Sequence, residues 1–497
     1  MYKVKIEPGV KLENYLAYAS LAPRFNAFHN EAVLLRKALR KKKIWMVNST
    51  EHGGGVAEMM PRMISLLRQL GLDADWVVME TNESQFFALT KNIHNLIHGQ
   101  PGAEITAEDK ALYDQINRDN ARQMAEYVQK DDIVVVHDPQ PAGMAQELKK
   151  MIDITAIWRC HIGLDYSNDS TEAAWSFLSP YLEAYDQYVF SSPEYIPEGL
   201  SGNVTLIHPS IDPLSHKNRP LSLHKLTGIL GNAGLLTSDH PTLYPDYKHK
   251  VTRLKPDGTF GPARNGEDIG LLFRPILTQV SRWDKLKGFF SLLEGFVELK
   301  RNNQENGNRS RNHNRIRNAR LVLAGPDPES VADDPEGKQV LKDLVDAYVQ
   351  LPDDIKKDVV ILTLPMKSAK ENALIVNALQ RSSYVVIQNS IQEGFGLTAT
   401  EAMGKRIAVL ASSACGLRNQ VRNHIDGRLL HHPEDPSEVA SHLEYLLNNP
   451  KVVEEMSFSA EKRVLDHFLI FQQLTNWLNV FHRAQLAKEK NQPVLVG

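Results

Sequence analysis

Two cysteines in 497 residues, Cys160 and Cys415, are too few for a disulfide framework or a multi-cysteine metal site, and they suit a reducing compartment. Long apolar runs are missing too. No stretch approaches the ~20 apolar residues of a membrane span, and the start, MYKVKIEPGVKLENY, has no apolar segment suited to a signal peptide. A soluble, cytoplasmic protein is the expectation. Charge of one sign is not in excess either: 57 Lys and Arg stand against 60 Asp and Glu, a formal net charge of −3. No global field therefore draws the chain to nucleic acid or an anionic membrane, and any bound anion must be captured locally.

What is present is an ordinary globular composition, 42% hydrophobic and 24% charged, with length for two or three domains at ~100–200 residues each. Short apolar runs at 44–47, 76–79, 133–136, 154–158 and 204–207 read as buried strands. Between the first two, Val56, Met59, Met60, Met63, Ile64, Leu67 and Leu70 recur at helical spacing and Gly71 follows as a stop. The rhythm restarts at 276–280 and continues at 321–324, 359–362, 384–388 and 407–411. Strand then helix, repeated, predicts two doubly wound α/β domains of Rossmann type.

We place the first domain at 1–212, a linker with an insertion at 213–275, the second domain at 276–455 and a helical tail at 456–497. Within the tail, the pattern over 461–486 predicts a helix that closes across the domains. The segment 301–320, with six Arg and seven Asn, reads as a mobile surface loop rather than a nucleic-acid site, because no aromatic interleaves the arginines for base stacking.

In an open parallel sheet ligands collect at the carboxyl ends of the strands, where N–H groups at helix N-termini receive anions. Three segments stand there. NSTEHGGGVAE, 48–58, enters its helix through Gly53, Gly54 and Gly55, which let a ligand approach the backbone. The triplet is not the G-x-G-x-x-G dinucleotide fingerprint, and no G-x-x-x-x-G-K-[ST] loop occurs, so dehydrogenase and P-loop kinase readings lose their support. QVSRWDKLKG, 279–288, carries Arg282 and Lys287, two cations able to stabilise a departing pyrophosphate. NSIQEGFGLTATE, 389–401, places Glu393 in a Gly394–Phe395–Gly396 turn and Glu401 in the helix behind it. Carboxylates suit sugar hydroxyls, although a glutamate near a helix start also complements the dipole.

These segments resemble those of the retaining nucleotide-sugar transferases of glycosyltransferase family 4, in order: GGGVAE at 53–58, RCHIGLD at 159–165, SRWDKLKG at 281–288 and EGFGLTATEAM at 393–403. The resemblance is strongest to the trehalose glycosyltransferring synthases, through VVVHDPQPA at 134–142, IWRCHI at 157–162, PSIDPLS at 209–215 and DDPEG at 333–337, a pattern shared in large part by fungal-type trehalose phosphorylases. After EAM the chain departs from that family, reading GKRIAVLASSACGLRNQ without its usual proline and with Cys415 where a Gly-Gly pair would begin.

The resemblance implies a GT-B fold, two Rossmann-like domains facing across a cleft with a C-terminal helix packing back across them. It implies glucose transfer from a nucleoside-diphosphate glucose to free glucose, with retention, giving trehalose. Arg282 and Lys287 would hold the diphosphate, Glu401 the ribose hydroxyls and Glu393 the donor sugar. Backbone groups of Gly394, Phe395, Gly396 and Leu397 would steady sugar and phosphate, and His161 would lie close to the donor sugar. Acceptor contacts would come from the Gly53–Gly55 loop and from Asp138 and Gln140. A sugar and a sugar nucleotide would be the partners; no metal is required. A homodimer is compatible with it, and neither nucleic acid nor membrane is implied. His94 and His98, four apart on a predicted helix, have no third metal ligand in the sequence and read as surface histidines. A trehalose phosphorylase using inorganic phosphate, and a sugar or nucleotide sensor without turnover, remain the alternatives.

Overall fold

A strand whose two faces are both covered needs no polar alternation, and the apolar runs of this chain are of that kind. The computed structural model describes residues 1–51, 54–200, 202–236, 246–264, 268–305, 311–328 and 335–491. They divide into two units, Met1–Ser210 with Ile470–Gly497, and Ile211–Leu469.

The first unit holds strands β1 (Tyr2–Lys3), β2 (Lys43–Asn48), β3 (Asp73–Val78), β4 (Ile133–His137), β5 (Thr155–Cys160), β6 (Gln187–Phe190) and β7 (Val204–Leu206). They form one sheet in the order β1-β3-β2-β4-β5-β6-β7. Only β1 runs antiparallel, on β3. The buried indoles of the sheet find acceptors, as polar tips in a core must: Trp45 Nε1 donates to Asp132 Oδ2 at 2.9 Å and Trp76 Nε1 to Asn48 Oδ1 at 2.7 Å. β1 and β6 are additions to the strands expected from the sequence; one has two residues and the other four, too short for a period to show.

The second unit holds β8 (Thr252–Leu254), β9 (Phe260–Pro262), β10 (Ile276–Val280), β11 (Arg320–Pro326), β12 (Val359–Leu364), β13 (Val385–Gln388), β14 (Ala408–Ser412) and β15 (Gly427–Leu430). Its sheet order is β15-β14-β13-β10-β11-β12-β8-β9. Side chains alternate between two cores: Leu321, Leu323, Val359 and Ile361 belong to one, and Val322, Ala324, Val360 and Leu362 to the other. That alternation with apolar residues on both sides is why β11 and β12 read as unbroken apolar runs.

Three expectations change. The inserted region carries a helix, Leu223–Asn232, and the β8–β9 hairpin, which extends the sheet antiparallel to β12 in the register Leu362↔Arg253. Among the described residues the Arg-rich segment is largely helical: helix Phe289–Glu305 runs into it, helix Arg311–Asn318 follows, and Arg320 opens β11. Ile316 anchors the second helix, and the buried Lys300 ammonium donates to the carbonyls of Ile316, Arg317 and Ala319 at 2.8, 2.9 and 2.8 Å and to Asp358 Oδ2 at 2.9 Å. One apolar residue and one lysine supply what composition lacks. The tail is two helices, Pro450–His467 and Ile470–Asn491, and the division between units falls in the break between them, after Leu469. No helix among the described residues is long and apolar enough to cross a membrane.

In each sheet the chain adds strands to one side of its first parallel strand and then to the other. The reversal lies between β2 and β4 in the first unit and between β10 and β13 in the second. Outside the carboxyl ends of such a strand pair is where an open α/β sheet offers a crevice.

Candidate active site

In the second unit, the loop after β10 meets the loop after β13. Asp284 caps the short turn Lys285–Lys287, accepting from Leu286 N at 2.8 Å, and Gly288 follows with φ +62°. A Cβ on Gly288 would stand 2.1 Å from the Asn389 carbonyl oxygen, so both the left-handed backbone and the close approach demand glycine. Asn389 locks the meeting: its side-chain amide donates to Gly288 O at 2.9 Å, Ser291 Oγ at 3.0 Å and Pro433 O at 2.9 Å.

This clasp brings Lys287 to Glu393. The Lys287 ammonium lies 2.8 Å from Glu393 Oε2, with both side chains 14% exposed. Gln388 Nε2 and Ser390 Oγ also donate to Oε2, each at 3.1 Å. One oxygen of Glu393 thus collects three donors, whereas Oε1 accepts from none of the described residues. Gly396, at φ +83°, turns the chain into helix Leu397–Met403, whose first N–H groups have no intrahelical acceptor. Gly416 packs against this turn so closely that a Cβ there would come 2.2 Å from Phe395 Cα and 2.3 Å from Gly394 O. The glycine that survives beside Cys415 is therefore the one the turn needs.

Arg282 is not part of this cluster. Its side chain is 70% exposed and lies 3.8 Å from Asp284. Glu401 is buried in its helix with Oε1 3.7 Å from the Lys217 ammonium. Lys405, one turn on, donates to Glu401 O at 3.0 Å and Asn218 Oδ1 at 3.0 Å. Burial pushes the Lys405 ammonium down to about 7 against the opposing pull of Glu401.

In the first unit, β4 and β5 pair in the register His137↔Arg159, so their exits run side by side. Asp138, at φ +64°, donates its N–H to Arg159 O at 2.8 Å, accepts the His161 N–H on Oδ1 at 2.8 Å and accepts Trp158 Nε1 on its carbonyl at 3.1 Å. Aspartate is among the few residues that take this backbone readily. Burial pushes its carboxyl up to about 6, while His161 N–H and the Arg159 charge oppose. The His161 ring stacks on His137 at 5.2 Å and 13°, with His137 Nδ1 2.9 Å from His161 Nε2. Burial first, and the Arg159 charge second, hold His137 down to about 3 and His161 well below the usual imidazole range.

Gly54 and Gly55 open helix Gly54–Gln69 directly after β2; Gly53 lies outside the described residues. Gln140 has its Oε1 buried without a partner among the described residues. His94 and His98 are half-buried, with rings 4.5 Å apart, rather than on the surface, and burial pushes His94 down to about 4. Among the described residues no group of three or more His, Cys, Asp or Glu could hold a metal ion.

Sequence reasoning named Lys287 and Glu393 but missed Gln388, Asn389, Ser390, His137 and Arg159. Each of them contacts a neighbouring side chain or loop; His137 and Arg159 stand in the VVVHDPQPA and RCHIGLD segments and Asn389 and Ser390 open NSIQEGFGLTATE, whereas Gln388 lies in the strand before it.

Comparison with known proteins agrees with this layout. Residues 46–197 match the family described as trehalose synthase, N-terminal domain, and residues 272–463 match glycosyl transferases group 1. A trehalose synthase of Thermococcus litoralis is 34% identical over 450 residues, 89% of this chain and 91% of that one. A trehalose phosphorylase of Pleurotus pulmonarius is 26% identical over 470 residues, covering 90% of this chain but 58% of its own length. Among solved structures, an alpha,alpha-trehalose-phosphate synthase (UDP-forming) from Burkholderia vietnamiensis superposes with a TM-score of 0.64 at 14% identity, over 91% of this chain and 99% of that one; at that identity the likeness speaks for the fold, GT-B.

Proposed function

Because the chain belongs to the trehalose synthase family and is a glycosyltransferase, we propose that it transfers glucose, with retention, from a nucleoside-diphosphate glucose to free glucose, forming trehalose. The carrying observation is the Lys287–Glu393 pair at the strand-order reversal of the second unit. A diphosphate gains negative charge as the anomeric C–O bond breaks, and a fixed ammonium in a partly desolvated loop lowers the energy of that charge. Lys287, held beside Glu393, would receive the phosphates where it stands, with Arg282 as a second, solvent-facing cation. Glu393, steadied by Gln388 and Ser390, keeps Oε1 for a sugar hydroxyl.

The departing phosphate oxygen would take the proton from the incoming glucose hydroxyl while the new bond forms on the same face. Retention then needs no pair of opposed carboxylates. Glu401 would receive the ribose hydroxyls in competition with Lys217. The first unit would hold the acceptor through Gly53, Gly54, Gly55, Asp138 and Gln140, with His161 beside the donor sugar.

The relatives also include phosphorylases, which favours one second reading: inorganic phosphate in place of the nucleoside diphosphate. Purified protein is incubated with glucose and ADP-, UDP- or GDP-glucose, and separately with trehalose and either phosphate or a nucleoside diphosphate, the products being identified by chromatography. Trehalose formed from a sugar nucleotide supports the synthase; nucleotide-independent release of glucose 1-phosphate replaces it with the phosphorylase.

A further inference from the structure

We infer that His137 is a positioning residue that fixes the tautomer of His161, so that His161 presents Nδ1–H to the sugar. The inference rests on the reading that His161 stands at the donor sugar, and deepens it.

Both histidines lie just past or at the ends of adjacent strands, and the His137 ring is fully buried. With Nδ1 of His137 and Nε2 of His161 2.9 Å apart, one nitrogen must donate and the other accept, provided both rings are neutral. Neutrality is supplied by burial and by Arg159, whose buried guanidinium donates Nη2 to Ser191 Oγ at 2.9 Å and Ile207 O at 2.7 Å, but leaves Nε and Nη1 without partners among the described residues. That positive charge opposes a second one on either imidazole.

The direction of donation follows from the other side of His137. Its Nε2 is buried and has no partner among the described residues. The Trp477 ring, centred 6.3 Å from that of His137, carries another buried nitrogen without a partner among the described residues, Nε1. An indole nitrogen is a donor only. A proton on His137 Nε2 would set a second stranded donor in the same buried region, whereas a bare Nε2 offers an acceptor that Trp477 Nε1 can reach through one bridging water. Stranded buried N–H groups are rare in folded proteins. The His137 proton therefore sits on Nδ1, where it is given to His161 Nε2, and the single ring proton of neutral His161 is left on Nδ1. Trp477 comes from helix Ile470–Asn491, so the returning helix of the first unit backs the histidine pair.

The test uses the full chain with 15N-labelled histidine and long-range 1H–15N correlation spectra, which report the protonated nitrogen of each ring. His161 is expected to carry its proton on Nδ1 in the wild type and to keep it there in His137→Asn, whose amide can still donate to Nε2. In His137→Phe the proton is expected to shift toward Nε2, with kcat for glucosyl transfer falling roughly 10²-fold, the scale of a misplaced catalytic contact, and donor KM changing far less. Should His137→Phe fold poorly, Trp477→Phe serves: the protonated His161 nitrogen should become mixed. A wild-type His161 protonated on Nε2, or a His137→Phe enzyme with unaltered tautomer and kcat, overturns the inference. If His161→Ala turns over at the wild-type rate, it is the placement of His161 at the sugar that fails, and the spectra then stand alone.

Discussion

Lys287 Nζ and Glu393 Oε2, 106 residues apart in sequence, lie 2.8 Å from each other with both side chains mostly buried. A partly desolvated ammonium and carboxylate in contact hold each other in place, so under the proposed function an arriving diphosphate would find the cation already positioned.

Lys287→Ala is expected to lower kcat by ~10²–10³, the scale for one preorganised electrostatic contact. Glu393→Gln should lower it too. Because the two groups touch, the double variant should lose less than the sum of the singles, with a coupling of ~0.5–3 kcal/mol. Steady-state kinetics of the four proteins measure it, and additive losses would show that the pair does not act as a unit.

Gly288→Ala meets two obstacles at once, a φ of +62° and the Asn389 carbonyl 2.1 Å from the new Cβ. Backbone strain of this kind costs ~1–3 kcal/mol, and the carbonyl must also move, which pulls Lys287 from Glu393. A lowered Tm together with a kcat loss close to that of Lys287→Ala is expected; full activity would mean that the clasp does not position the lysine.

Lys405 has a folded-state pKa of about 7, below the ordinary lysine value of 10.5. The unfolded chain therefore binds the extra proton between pH 7 and 10.5, and stability rises with pH across that window. Below pH 7 the burden of the buried charge is complete. The Tm of wild type relative to Lys405→Met should accordingly climb from pH 7 toward pH 10, as measured by calorimetry on both proteins. A flat difference would place the ammonium in a better-solvated setting.

Lys300 caps the end of helix Arg311–Asn318 with three carbonyl contacts and holds Asp358. Lys300→Met leaves a buried carboxylate facing Arg320 and Arg274 at 3.7 Å and the carbonyls without a donor. Breaking a buried ion pair costs ~3–5 kcal/mol. Hydrogen exchange should accelerate over 314–318 well before it does in β14; unchanged protection there would show that Ile316 alone holds the helix.

How much of this was legible beforehand depends on the distance over which each signal acts. The five strands expected in each domain appear because each is a local apolar run, and Lys287, Glu393 and Glu401 stood out as candidates because their motifs are contiguous. Strands β8 and β9, three residues each, exist only because β12 offers them an edge. Helix Arg311–Asn318, with almost no apolar content, exists because Lys300 and Ile316 tie it down.

Local order of strands and helices, and the chemistry available in each loop, were properties of the sequence alone, since hydrophobic period and glycine placement act over a few residues. Which carboxylate meets which cation was decided only by the tertiary structure. Lys287 reaches Glu393 rather than Glu401, and His137 touches His161, because strand order brings together loops that are far apart along the chain, and burial at the histidine meeting holds both imidazoles below their usual range.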